Sequence, residues 1–201
     1  MYFRILLALI GLTGLCACAT PNAQNGVLVT DEAQAIGGAL FVEQTENGDF
    51  LVLDGKITSE TSYWFQALAT QGEVNGLIIL QSPGGDPVAA HQVGRTIKQK
   101  GINTFVVAAC FSACIDIFIA GKQRIMYEDG KLGLHAWKSD RPTQETFRIA
   151  QQYWTEMGYS RSIMAKAFKV PHEQIWLIEP KRARSLRMVT DILSPEQAPG
   201  S

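Results

Sequence analysis

The sequence lacks an apolar run of the about 20 residues that a membrane-spanning helix needs. Its apolar stretch at 5–15 is too short to cross a bilayer comfortably. It also lacks an excess of charge: 18 basic residues face 19 acidic ones, for a net charge of −1. That balance excludes a general pull toward nucleic acid or anionic lipid. The one local basic run, Lys181, Arg182, Arg184 and Arg187, suits the wet face of an amphipathic helix. Cysteine is scarce, four in all, falling in two close pairs at 16/18 and 110/114. A metal site needs more ligands than Cys110 and Cys114 supply, so no metal is expected. There is no internal repeat, and 201 residues are enough for one sizeable core but short of two full domains.

What is present begins with a targeting signal. Arg4 precedes the 5–15 apolar stretch, and polar sequence follows from Thr20, the pattern of a secretory leader. Leu15-Cys16-Ala17-Cys18 resembles a bacterial lipobox, with Ala17 at the cut and Cys18 as lipid acceptor. The expected layout is a leader over 1–18, a tether over 19–36, a domain over 37–193 and a flexible tail over 194–201. The expected location is the periplasmic side of a bacterial cell envelope, on a lipid anchor. In that oxidising setting a disulfide is the default for Cys110 and Cys114, and two buried thiols are the alternative.

Along the domain, 39–42 and 50–53 read as strands around a turn-rich link. Thr58 or Ser59 can cap a helix over 60–70, with Tyr63 and Leu68 expected inward. The run Gly76-Leu77-Ile78-Ile79-Leu80 has the composition of a strand buried on both faces. The loop Ser82-Pro83-Gly84-Gly85 follows, and Pro87 suits the first turn of a helix that Gly101 ends. Residues 104–109 read as a second buried strand, adjacent and parallel to the first, and 112–120 as a buried helix. Short strands are expected at 124–126 and 132–134, then helices over 143–157 and 161–169. An apolar stretch at 175–178, a last helix at 180–186 and a strand at 189–193 complete an α/β fold with mainly parallel pairing.

Three features carry chemistry, and each has a plain structural explanation when taken alone. Gly84 and Gly85 let the backbone approach a ligand with its amide hydrogens exposed, or simply make a tight connection. Ser112 stands where a strand turns into a helix, a place that favours negative charge but where serine is also a common cap. His135 closes a short strand after Gly133, and one histidine is as often a core side chain. His91 falls on the expected outer or lateral side of its helix and receives no role.

Together these segments resemble the Clp-type serine protease. The resemblance rests on Phe50-Leu51-Val52-Leu53-Asp54-Gly55-Lys56-Ile57, the segment from Gly76 to the Ser-Pro-Gly-Gly loop, Ser112 opening a helix, and Gly133-Leu134-His135. It extends over roughly 40–193. A group of exported bacterial proteins with that fold is similar in more detail, sharing the Cys-x-Ser-x-Cys segment and a late Trp176-Leu177-Ile178-Glu179-Pro180. The resemblance implies a ClpP/crotonase-like fold of repeated ββα units. It implies Ser112 as nucleophile, His135 as general base, and the amides of Gly85 and Ala113 as oxyanion donors. Those roles describe a hydrolase, foremost a peptidase, with no cofactor.

The third member departs from the protease pattern. The aspartate that would orient the base aligns near Gln174, with Glu173 and His172 beside it; Asp116 and Asp140 are the other carboxylates considered. Gln174 can orient an imidazole but adds no charge to stabilise an imidazolium. The alternative is therefore a weak or inactive relative that binds peptides or partner proteins in the same groove. A crotonase-type acyl-CoA enzyme and a Cys114 nucleophile are lesser alternatives. The expected partners are a peptide or protein substrate, a membrane through the anchor, and further copies of the chain, with no nucleic acid. The insert at 143–169 is expected to cover the cleft or to make an oligomer contact.

Overall fold

The computed structural model describes residues 33–45, 48–72, 74–138, 140 and 143–194. The leader, Cys18 and most of the tether and tail lie outside them. Strand β1 (Gln34–Gly37) begins within the stretch read as tether, and pairs antiparallel with β2 (Leu40–Thr45). β2 in turn pairs antiparallel with β3 (Gly48–Asp54). From β3 onward the sheet is parallel, through β4 (Val74–Ser82), β5 (Asn103–Phe111), β6 (Arg124–Tyr127) and β9 (Asp191–Leu193). β7 (Lys131–Leu134) pairs in parallel with the last residues of β5, and β8 (Trp176–Ile178) pairs antiparallel with β7.

The buried runs explain this sheet. Leu51 and Leu53, Leu77 and Ile79, and Val106 face the helices, while Val52, Ile78, Phe105, Val107 and Tyr127 form a second cluster on the other face. Strands with apolar side chains on both faces pair in parallel through crossover helices. Helix α1 (Ser59–Gln71) joins β3 to β4, α2 (Pro87–Lys100) joins β4 to β5, and α3 (Ala113–Phe118) precedes β6. Thr58 caps α1 in a capping box with Thr61. The inward residues of α1 are Thr61, Ser62, Phe65 and Ala69, whereas Tyr63 is 65% exposed, contrary to its expected orientation. Asp86 caps α2 by accepting from the amides of Val88 and Ala89, and Gly101 closes that helix in the left-handed conformation.

Helix α4 (Thr143–Glu156) packs on α2 and α3, and α5 (Arg161–Ala167) packs on α4. The Tyr153 hydroxyl donates to the Asp116 carbonyl at 2.7 Å, and Trp154 Nε1 donates to Asp116 Oδ1 at 2.7 Å. A side chain at Gly94 would occupy the place of the Tyr153 hydroxyl, so the helices meet closely only because that residue is glycine. The last helix, α6 (Pro180–Ser185), exposes Lys181, Arg182 and Arg184 as expected. Among the described residues no helix is long and apolar enough to cross a membrane.

Candidate functional site

β5 delivers Ser112 to the end of the sheet. Ser112 has φ 55° and ψ −128°, a conformation that non-glycine residues rarely adopt. Its amide donates to the Gly133 carbonyl at 2.8 Å, which extends the β5–β7 ladder by one step. Its side chain makes no capping hydrogen bond to α3, so the hydroxyl is not consumed in the structural job serine often does. The Cys110–Cys114 disulfide, expected from the compartment, spans the turn with its Cα atoms 5.3 Å apart. Both cysteines are fully buried, so Ser112 stands at the centre of a covalently closed loop.

The Ser82-Pro83-Gly84-Gly85 loop lies directly against that turn. A Cβ on Gly84 would sit 2.6 Å from the Phe111 carbonyl oxygen and 2.8 Å from Ser112 Cβ. Gly84 has φ 90° and Gly85 φ 149°, both open to glycine alone at little cost. Ile57 bridges to this loop: its amide donates to the Gly84 carbonyl at 2.9 Å, and its carbonyl accepts from the Asp86 amide at 3.0 Å. In a parallel bridge of that kind the middle residue points its own N–H the other way. Neither the Gly85 nor the Ala113 N–H is taken by another backbone group of the described chain.

His135 arrives from β7. Phe111 is registered with Gly133, so Ser112 and His135 leave the same end of neighbouring parallel strands. His135 is 8% exposed, and it lines one cleft of about 720 Å³ with Ser112, Ala113, Gly84, Gly85 and His172. No hydrogen bond joins the Ser112 hydroxyl to His135, although both line the same cleft. The His135 Nδ1 lies 2.7 Å from the Ala136 carbonyl oxygen. A carbonyl only accepts, so Nδ1 carries a hydrogen, and in the neutral ring the lone pair is then on Nε2. That is the tautomer a general base needs.

The residues considered for the third position are placed elsewhere. Gln174 and Glu173 are exposed, and neither meets His135. Asp116 is turned away, buried with His91, whose Nε2 lies 3.2 Å from Asp116 Oδ2. Those two atoms are close but not aligned as a hydrogen bond, so the contact is ionic only when His91 is protonated. His91 is therefore buried rather than lateral, stacked at 3.9 Å on the Tyr153 ring. Its connection was invisible in the chain because Asp116 is supplied by another helix.

The group that does meet His135 is His172, on the loop after α5. Its ring stands edge-on to His135 with centroids 4.6 Å apart, and its Nδ1 lies 3.3 Å from the same Ala136 carbonyl. Its nearness to the aligned aspartate position was the available signal. The cleft wall also carries Lys56, Lys138 and Trp137. Among the described residues none of α4 or α5 lines the cleft, so of the two expectations for the insert the covering of the cleft is not seen. Among the described residues no group of three or more His, Cys, Asp or Glu side chains could hold a metal ion.

No family model matches the chain, and no curated protein does. Among solved structures, a mutant ClpP1 from Listeria monocytogenes superimposes with a TM-score of 0.57 at 18% identity. The match covers 72% of this chain and 91% of that one. The chain therefore has a ClpP-like α/β fold with a mostly parallel central sheet.

Proposed function

We propose that the protein is a serine hydrolase, foremost a peptidase, with Ser112 as nucleophile and His135 Nε2 as general base. The observation that carries this reading is the conjunction at one cleft of an uncapped Ser112 on a strained strand-to-helix turn and a His135 whose Nδ1 is held as a donor. In the attack, His135 Nε2 takes the hydroxyl proton as the Ser112 oxygen adds to the acyl carbon. The charge that develops on the acyl oxygen is met by the amides of Gly85 and Ala113. Collapse of that intermediate returns the proton to the leaving group and leaves an acyl-serine, which water then hydrolyses by the same route. The ClpP-like fold supports a peptide or protein substrate, and we read the chain as a ClpP/crotonase relative built of ββα units that assembles with further copies of itself. The leader and Cys18 support a lipid-anchored position on the periplasmic side of the envelope.

A fluorophosphonate probe tests the chemistry: it labels Ser112 in the wild type and does not label Ser112→Ala. One observation favours a second reading, that of a peptide-binding relative without turnover. The group behind His135 is a carbonyl and not a carboxylate, which leaves the imidazolium without a charge partner. Absence of labelling in a folded wild type selects that reading.

A further inference from the structure

We propose that His172 is a positioning residue for His135, acting through the Ala136 carbonyl that both imidazoles share, and that it makes the site sensitive to acid. The proposal rests on the Ser112–His135 reading and goes beyond it by naming what replaces the third acid. The Ala136 oxygen has two lone pairs, one for the His135 Nδ1 at 2.7 Å and one for the His172 Nδ1 at 3.3 Å. The residue that carries this carbonyl is anchored on its other side, where the Ala136 amide donates to Val170 O at 2.9 Å. That bond ties the His135 segment to the loop that carries His172. The edge of one ring against the face of the other then limits rotation of His135 about its side-chain bonds.

This arrangement fixes a tautomer without adding negative charge. Imidazole is the side chain whose charge changes near neutral pH. When His172 takes up a proton, a positive charge stands beside the ring that must itself become positive in the attack, and the reaction is opposed. The other charged groups facing the pair are Lys138 on the His135 segment, Lys56 from the loop before α1, and Asp86 from the loop before α2. Glu173 adjoins His172 in the chain. The Asp86 carboxylate is turned to the start of α2, accepting from the Val88 and Ala89 amides, and among the described residues no carboxylate hydrogen-bonds to either ring.

The test measures the second-order rate of fluorophosphonate labelling across pH, together with the His135 tautomer by nitrogen-15 NMR. His172→Ala and His172→Phe are expected to label about fivefold more slowly near neutral pH, the worth of one neutral hydrogen bond. His172→Asn keeps a donor where Nδ1 was and does not titrate. It is expected to retain the wild-type rate near neutrality and to lose less of it on acidification. NMR is expected to show His135 protonated at Nδ1 in the wild type and in His172→Asn, and a mixture of tautomers in His172→Ala. Equal rates, equal pH profiles or an unchanged tautomer in His172→Ala would overturn the proposal. A wild type that fails to label removes the hydrolase reading instead, and the tautomer comparison alone then decides the role of His172.

Discussion

The Ser112 amide donates to the Gly133 carbonyl at 2.8 Å, so the proposed nucleophile and the strand that carries the proposed base share one hydrogen-bond ladder. The reach between Ser112 and His135 is set by this register and not by long loops. Changes that disturb the turn around Ser112 should therefore affect chemistry before they affect the rest of the sheet.

Gly84→Ala places a methyl group against the Phe111 carbonyl and Ser112 Cβ at a φ of 90°. The neighbouring atom is backbone and cannot swing aside. The expected result is a loss of about 100-fold in labelling of Ser112, the cost of a misplaced oxyanion donor. A stability loss of about 1–3 kcal/mol, measured by denaturant unfolding, should accompany it.

Removing the Cys110–Cys114 bridge by a double substitution to serine should lower stability by about 2 kcal/mol, the chain-entropy worth of so short a loop. Both sulfurs are fully buried. Thiol labelling of protein unfolded in denaturant without reductant should therefore give no modification at these positions, and labelling after reduction should modify both. Two readily alkylated cysteines there would contradict the bridge and the compartment together.

Asp116→Ala removes the acceptor of Trp154 Nε1 and the neighbour of His91. Breaking a buried polar cluster on one side costs about 3–5 kcal/mol, so the melting temperature should fall sharply. Labelling of Ser112 well below that temperature should stay within a few-fold of wild type, since Asp116 does not reach His135. A large selective loss of labelling would instead place Asp116 in the machinery.

Alkaline pH should weaken the fold. Burial, aided by the nearby Asp116 carboxylate, raises the Tyr153 hydroxyl far above its ordinary value of 10.0. Burial raises Tyr159 and Tyr127 as well. A raised value means the folded chain holds its proton longer than the unfolded chain. The stability this gives is complete below pH 10 and is lost as pH rises beyond it. Unfolding midpoints measured on either side of pH 10 should show the decline, and Tyr153→Phe should make it shallower.

Much of this was legible in the chain because it was local. Asp86, Pro87 and Gly101 marked both ends of α2, and the continuous apolar run at 76–80 marked a strand covered on two faces. That Ser112 and His135 each stand at the end of a strand was legible from the apolar runs before them, whereas the pairing of those two strands was not. Tyr63 was misread because a short helix with Trp64, Phe65 and Leu68 has several plausible apolar stripes, and only packing against α2 selects one. His91 was misread because its partners Asp116, Tyr153 and Trp137 come from three other segments. The role of His172 depends on the direction of one backbone carbonyl, which no residue type announces.

β5 divides its allegiance along its length. Its early residues Thr104, Phe105 and Val106 pair with β6, and its last three, Ala109, Cys110 and Phe111, pair with β7. One strand therefore belongs first to the sheet that makes the core and then to the small pair that presents the base. Sequence change in β7, β8 and the loop behind them can rewrite what stands beside His135 while the core ladder keeps its register. The side chains around His135 are therefore free to change in kind without breaking the ladder on which the core depends.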